Sequence, residues 1–549
     1  MVDWCQQLID NIQKLFINRW TLIVTRKEKR KMKLKIMKVL VMTTALLLTL
    51  SCMPYRSTHA STTLIWLTHW TEVSEVEYWQ GENNPLAEYE ALTGVHVEMQ
   101  TVEFENFYTE IMLRHTAGND PDILHINAMW VPEFVKVANL LAEPPQSIRD
   151  DVKANWTAPT VTGSTYLYKT WGYPTEYNSW ALVYNKKLLE EAGYTEPPKT
   201  WDELKTIANA TTKWEEGVLT QTGFSPFVEG MPEEQRWQFM SLLWSNGGEY
   251  LDLGTPAVRF NNTQGVEVMQ LLYDLKTIYK TFDPVNFGEG GAYWWDGWVN
   301  ENIAMMVLPT WMSYLREAMN WTSPEDQGYF TDIGIAPIPV GPHGTKSQSV
   351  VYNWINVVTK KSETDGRATE AWKFLQWLNS PRPSLGRGNL PAGEVVSRMG
   401  DYLIMDSIIP SRTSDQALPF LTEDLWFKGF IEMGKAPQGR ADRYFTTTEK
   451  VQYEIGVMFE NVITLGNDPA SEVAAAASRI APLLPKGEAL LGDLNYDGKV
   501  SILDISTAAF AYGTSPPHPR WDARADTNGD NKINIQDISR IAKNFGKTL

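Results

Sequence analysis

Apolar and polar positions between residues 61 and 488 alternate between two rhythms. Thr63-Leu-Ile-Trp-Leu-Thr68, Gly94-Val-His-Val-Glu-Met99 and Pro121-Asp-Ile-Leu-His-Ile-Asn127 are short runs dominated by apolar residues, the signature of buried strands. Residues 84–92 and 107–115 instead repeat their apolar side chains at three and four, which predicts helices. Strands alternating with helices predict an α/β fold with a largely parallel sheet. In such sheets functional loops follow the carboxyl ends of strands. Here those loops read His69-Trp70-Thr71-Glu72 and Asn127-Ala128-Met129-Trp130. Further on, residues 173–186 predict a strand running into a helix. Thr200, with Glu203 three residues later, predicts a capped helix start.

The rhythm changes in the tail. Two twelve-residue segments begin 33 residues apart, at Asp493 and Asp526, and 10 of 21 positions are identical between residues 493–513 and 526–546. Oxygen-bearing side chains fall at loop positions 1, 3, 5, 9 and 12: Asp493, Asn495, Asp497, Ser501 and Asp504 in the first, Asp526, Asn528, Asp530, Asn534 and Asp537 in the second. A loop of that spacing wraps a hard cation such as calcium, and position 7 (Lys499, Lys532) supplies only a backbone carbonyl. Gly498 and Asn531 stand at the sharp sixth position, where φ must be positive. Each loop feeds a predicted amphipathic helix that ends at Gly513 or Gly546. No helix precedes either loop, so each repeat is half of a helix–loop–helix hand. Two such short helices bury little, and two bound Ca2+ ions are expected to supply folding energy.

Composition narrows the possible partners. The chain has 549 residues and a formal net charge of -17; residues 1–60 hold 11 basic and 3 acidic side chains, leaving 38 against 63 beyond them. A body that acidic has no basic footprint for nucleic acid. The basic stretch 26–38, the 12-residue apolar run 39–50 and Thr58-His59-Ala60 read as a secretory signal peptide, with Met32 as its expected start. Ser51-Cys52 offers a weak lipid-attachment alternative. Cleavage after Ala60 removes both cysteines, Cys5 and Cys52, so the exported chain is expected to lack disulfides. Sequons stand at Asn155, Asn209, Asn261 and Asn320. The expected location is extracellular and associated with the cell surface.

Two resemblances follow from these motifs. Residues 491–547 resemble a type I dockerin, which implies a cohesin-bearing surface protein as partner. Loop positions 10 and 11, where that family makes much of its contact, are Ile502-Leu503 and Ile535-Gln536, which differ from the Ser-Thr pairs of well-known cellulosomal dockerins. The body resembles the family 1 extracellular solute-binding proteins of the maltose-binding type, on a collinear set of elements: the Pro121-Asp122 strand, Tyr184-Asn185-Lys186, Pro197-Pro198-Lys-Thr200-Trp201-Asp202-Glu203-Leu204, Asn302–Met306 before Trp311, Ile338-Pro339, the 371–378 helix and Pro410-Ser411-Arg412. That resemblance implies two α/β lobes in residues 61–488, with crossings near 174–179, 332–336 and 379–390, and a dockerin-like module over 489–549. It also implies a sugar ligand and the membrane subunits of an ABC importer as partners. The family's sugar-contacting segments fall on His69, Trp70, Glu72, Asn127, Trp130, Glu176, Asn178, Trp311, Tyr352, Asn353 and Trp354, with Tyr453 as a further ring.

The chain's 23 tryptophans agree with that expectation, and Trp70, Trp130, Trp180, Trp294, Trp295, Trp298, Trp311 and Trp354 all fall at predicted loop positions. Pyranose rings present apolar C–H faces, which aromatic platforms edged by Asp, Glu and Asn suit. A dockerin-bearing glycoside hydrolase is the alternative. It needs two carboxylates about 5–10 Å apart across a cleft, and 63 acidic residues supply many pairs. No His-Glu-x-x-His, Gly-x-Ser-x-Gly or phosphate-binding loop accompanies them.

Overall fold

The computed structural model describes residues 62–548 apart from 83, 168, 229–231, 255, 290, 314–331, 387–388, 436, 486–489, 496–498, 516–517, 519 and 528–531. The proposed leader, Cys52, Asn320 and the loop residues Asp497, Gly498, Asn528, Asp530 and Asn531 lie outside the described residues. Among the described residues, no helix is long and apolar enough to cross a membrane.

The first three predicted strands form at Thr63–Thr68, His96–Thr101 and Ile123–Asn127. They make the first sheet, in the order 96–101, 63–68, 123–127, 354–358, 173–174. The three N-terminal strands pair parallel, whereas Trp354–Val358 joins Ile123–Asn127 antiparallel. The sheet is therefore mixed rather than largely parallel: the strand that returns from the other lobe enters from the opposite end. Leu64 and Trp66 bury on one face, where Trp66 packs edge-on against Trp70 and Trp79 with centroids 5.4 and 5.0 Å away. The helices expected at 84–92 and 107–115 span Pro85–Thr93, capped by Asn84, and Phe104–Thr116.

The second sheet is built on Asn178–Asn185, the long strand expected from residues 173–186. Met305–Pro309, Ile333–Ala336 and Ser349–Tyr352 each pair with it antiparallel. Helices Pro232–Ser245, Leu425–Gly434 and Thr448–Phe459 contribute to the core around it. Gly434 approaches so closely that a Cβ there would meet the Tyr177 hydroxyl. The capping box at Thr200 forms as expected, with Glu203 N donating to Thr200 Oγ1 at 3.3 Å.

The chain steps between sheets at three places that lie side by side. Pro174 pairs with Ile355 in the first sheet, and Asn178 pairs with Tyr352 in the second. Only Asn353 separates Tyr352 from Trp354. Residues 409–411 lie alongside, with Tyr177 N donating to Ile409 O and Ser411 N to Thr175 O, both at 2.7 Å. The second and third steps thus fall after the 332–336 and 379–390 anticipated by resemblance. Residues 333–336 stay bonded to the long strand, and Met399, Tyr402 and Leu403 still pack in the first core.

In the tail, the two helices span Ile502–Phe510 and Ile535–Lys543. Each starts inside its loop, directly after the ninth position, because Ser501 and Asn534 act as N-caps. Gly513 and Gly546 follow them with φ of 76° and 79°.

Candidate functional site

The three strand steps bring the predicted ligand residues to the junction of the sheets. His69 leaves the end of the first strand and its ring lies 4.1 Å from the Trp354 indole. His125 is fully buried beneath them, its ring 5.3 Å from both His69 and Trp354. Across the step, Tyr352 stacks on Trp237 of the Pro232–Ser245 helix, 3.7 Å apart and within 12° of parallel. Trp130 extends the same wall, edge-on to Trp354 at 5.9 Å. Its indole N–H donates to Glu449 Oε1 at 2.8 Å, joining a loop after the first sheet to a helix of the second lobe.

Polar groups line the step itself. Glu176 is buried and accepts from Asn178 Nδ2 at 3.3 Å, leaving Asn178 Oδ1 buried without a partner. Burial pushes the Glu176 carboxyl up to about 8, and the Asn178 bond only partly offsets it. Burial also lowers His69 to about 4 and His125 well below the usual histidine value, so all three groups are neutral near pH 7. Asn353, fully buried, donates to Ser164 Oγ at 2.8 Å.

The other expected residues scatter. Trp70 is sealed in the first core against Trp79, Tyr402 and His125 rather than presented at the junction. Glu72 is exposed and begins the Val73–Gln80 helix as its N-cap. Asn127 caps the short turn that carries Trp130, accepting from Met129 N. Trp311 is partly buried, its ring 6.0 Å from Phe227 and 6.5 Å from Trp294. Tyr453 is 61 % exposed, on the same helix as Glu449. Trp180, Trp294 and Trp298 are core residues; Trp180 lies within a strand whose neighbours on both sides bury it.

The sequence reading missed Trp237, Glu233, Glu449 and Gln452. Gln452 Nε2 donates to Glu449 Oε2 at 2.6 Å and to Glu233 Oε2 at 3.4 Å. Beside them Arg236 and Asp442 form a two-bond ion pair, each about 1 % exposed, and Trp237 Nε1 also donates to Asp442. Only the Pro232-Glu233-Glu234 helix start hinted at this group, since acidic first turns mark helix N-termini.

In the tail the two loops close alike. Asp504, fully buried, accepts from Leu494 N at 2.7 Å and Ser501 N at 2.8 Å. Asp537, fully buried too, accepts from Asn534 N at 2.9 Å and Thr527 Oγ1 at 3.2 Å. The first-position carboxylates Asp493 and Asp526 are also buried, whereas Asn495 and Lys499 are exposed. Val500 pairs through its backbone with Gly546 and Lys547, and Ile533 pairs with Gly513 and Thr514. Each loop is thus braced by the end of the other repeat. Two buried carboxylates per loop, in a core too small to tolerate bare charge, fit a hard divalent cation.

A family model for the bacterial extracellular solute-binding protein matches residues 75–383. The chain belongs to that family. A second match, over residues 491–546, assigns a dockerin type I domain to the tail. Among relatives of this solute-binding protein, a binding protein of Brucella abortus is 25% identical over 361 residues, spanning 60% of this chain and 80% of its own. An arabinooligosaccharide-binding protein of Halalkalibacterium halodurans is 24% identical over 221 residues, 39% of this chain and 46% of that one. The fold is also that of the maltotriose-bound maltotriose binding protein of Thermus thermophilus, with TM-score 0.57, 20% identity and coverage of 77% of this chain and 100% of the other.

The solute-binding protein also places donor atoms of His69, His125 and Glu176 within 4.8 Å of one another, with His125 Nε2 2.9 Å from Thr175 Oγ1. The two imidazoles lie face to face, 28° from parallel. Their ring-plane lone pairs therefore do not converge at the ~2.0–2.1 Å an ion such as zinc requires, and the trio stands as a set of neutral hydrogen-bonding groups.

Proposed function

We propose that residues 61–488 capture a carbohydrate, an oligosaccharide, at the junction of the two lobes and deliver it to the membrane subunits of an ABC importer. Residues 489–549 tether the protein at the cell surface through a calcium-dependent bond to a cohesin. The observation that carries the first part is the cluster of aromatic rings at the junction, Trp354 with His69 and Trp130, and Tyr352 with Trp237. The buried, partnerless Asn178 Oδ1 stands near it. Flat apolar rings edged by buried hydrogen-bonding groups suit the two sides of a pyranose. The arabinooligosaccharide and maltotriose relatives support the same class of ligand.

Two calcium ions fit the tail. Asp493, Asn495, Asp497, Lys499 O, Ser501 and Asp504 would hold one, and Asp526, Asn528, Asp530, Lys532 O, Asn534 and Asp537 the other. Bound ions supply the charge compensation that lets Asp504 and Asp537 stay buried. Ile502, Leu503, Phe510 and Ile535 are more than half exposed; such a patch supports a protein partner.

Titration of the full chain with oligosaccharides while following Trp fluorescence is expected to give saturable quenching with no product released. Turnover of the sugar would overturn the transport reading in favour of a hydrolase. Asp504→Ala together with Asp537→Ala is expected to abolish calcium-dependent retention on cells, and retention that survives would point to another anchor.

A further inference from the structure

Beyond the aromatic platform, the junction carries a group of carboxylates that a neutral sugar does not need. Glu233 and Glu449 open two helices packed side by side, Pro232–Ser245 and Thr448–Phe459; Gly456 on the second lies against Pro232 on the first. Gln452 bridges them with its one amide nitrogen. Burial, with the charge of Glu449 adding to it, pushes Glu233 up to about 7, and burial raises Glu449 as well. Glu133 faces the same group from the first lobe and acts on both Glu449 and Tyr108. The cation acting on Glu233 and Glu449 is Arg236, and both its terminal nitrogens are bound to Asp442.

The independent observation is Gln452 Oε1. Gln452 is 2 % exposed, its nitrogen is spent on the two carboxylates, and its oxygen has no partner. With the amide nitrogen spent on both carboxyl groups, its oxygen is an acceptor beside a group rich in acceptors. A buried acceptor left unmade is destabilising, and a ligand that brings donors removes that cost. Asn178 Oδ1, beside Glu176, is a second buried acceptor in the same condition. A hydroxyl brings one donor and two lone pairs, whereas an ammonium brings three donors and no lone pair. The indole of Trp130 and the ring of Tyr108, 5.3 Å apart, add faces that attract a cation.

We propose that the junction selects an amine-bearing saccharide, its ammonium seated between Glu233, Glu449 and Gln452 Oε1. This rests on the carbohydrate reading above and narrows its ligand. The ammonium holds both carboxyls ionised and fills the one bond that Gln452 lacks. Its aromatic neighbours cover the apolar side of the ring that carries it.

The test titrates the full chain, calcium present, with β-1,4-linked glucosamine tetramer and with the matched neutral glucose tetramer, near pH 7 and low salt. Charge-assisted hydrogen bonds give about a tenfold or greater preference for the amine. Glu233→Gln with Glu449→Gln, near-isosteric and checked by thermal melting, is expected to reduce that preference to less than about threefold, read as the ratio of the two tetramers' affinities in the same variant. Equal or tighter binding of the neutral tetramer overturns this inference and leaves the carbohydrate reading intact. A preference that survives the double substitution overturns the assigned seat. No response to either sugar overturns both readings together.

Discussion

Trp66 and Ile541 occupy comparable places in two very different cores. Around Trp66, the rings of Trp70, Trp79 and Phe374 all lie within 5.6 Å, and the packed residues run from Leu64 to Ile408, 344 positions apart. Among the described residues of the tail, Ile541 belongs to a cluster of seven buried hydrophobics, three of them alanines. The body meets the entropy of folding with apolar area. The tail has too little area, and among its described residues it buries the carboxylates Asp493, Asp504, Asp526 and Asp537 besides. Its stability is therefore tied to what those carboxylates bind, and that of the body is not. A protein so divided can lose the fold of its tail reversibly without losing that of its body.

Chelation is the strongest way to break that contrast. Excess EDTA is expected to abolish protection of residues 491–546 in limited proteolysis while the body's melting transition moves by less than about 2 °C; a large shift in the body would show the two stabilities to be coupled. Next in size is Asp442→Ala, which strands Arg236 in the interior. It is expected to cost ~3–5 kcal/mol in denaturant unfolding of the body and to leave calcium binding by the tail unchanged.

Trp237→Ala removes the partner of Tyr352 and should weaken sugar binding by about 10- to 100-fold in the fluorescence titration. The pH dependence of the body sharpens the contrast further. Burial raises Glu176 to about 8 from an ordinary value of 4.5. The folded state therefore holds a proton that the unfolded state has lost between those values. That contribution is fully present below pH 4.5 and disappears as pH rises through 8. Glu176→Gln is expected to flatten the fall in melting temperature between pH 6 and 8. A fall as steep as in the parent chain would mean that the carboxyl does not titrate there. Smallest is Thr200→Ala, which removes one helix cap and should cost ~1 kcal/mol.

Some of this is legible in the sequence and some is not. The loop residues repeat at a fixed spacing of 33, and a twelve-residue loop builds its site almost wholly from itself. Asp504 and Asp537, which close the two loops in the structure, thus stand out from local pattern alone. Trp70 reads as a cleft tryptophan for the same reason that Trp354 does: a Trp near a strand end looks alike whether it turns inward or outward. Only packing separates them. Trp70 is drawn into the cluster around Trp66.

Short-range physics, then, determined the strand and helix pattern, the cap at Thr200 and the two repeated loops of the tail. Each depends on residues within about a dozen positions of one another, where the sequence carries all the information. The tertiary structure alone decided where the chain steps between lobes, because strand pairing is chosen among distant segments. It also brought Trp237 against Tyr352, Trp130 onto Glu449 and Gln452 between two glutamates. Those contacts join residues up to 319 positions apart, and no periodicity connects them. What they create, a buried acceptor with nothing to accept from, is a property of the assembled junction.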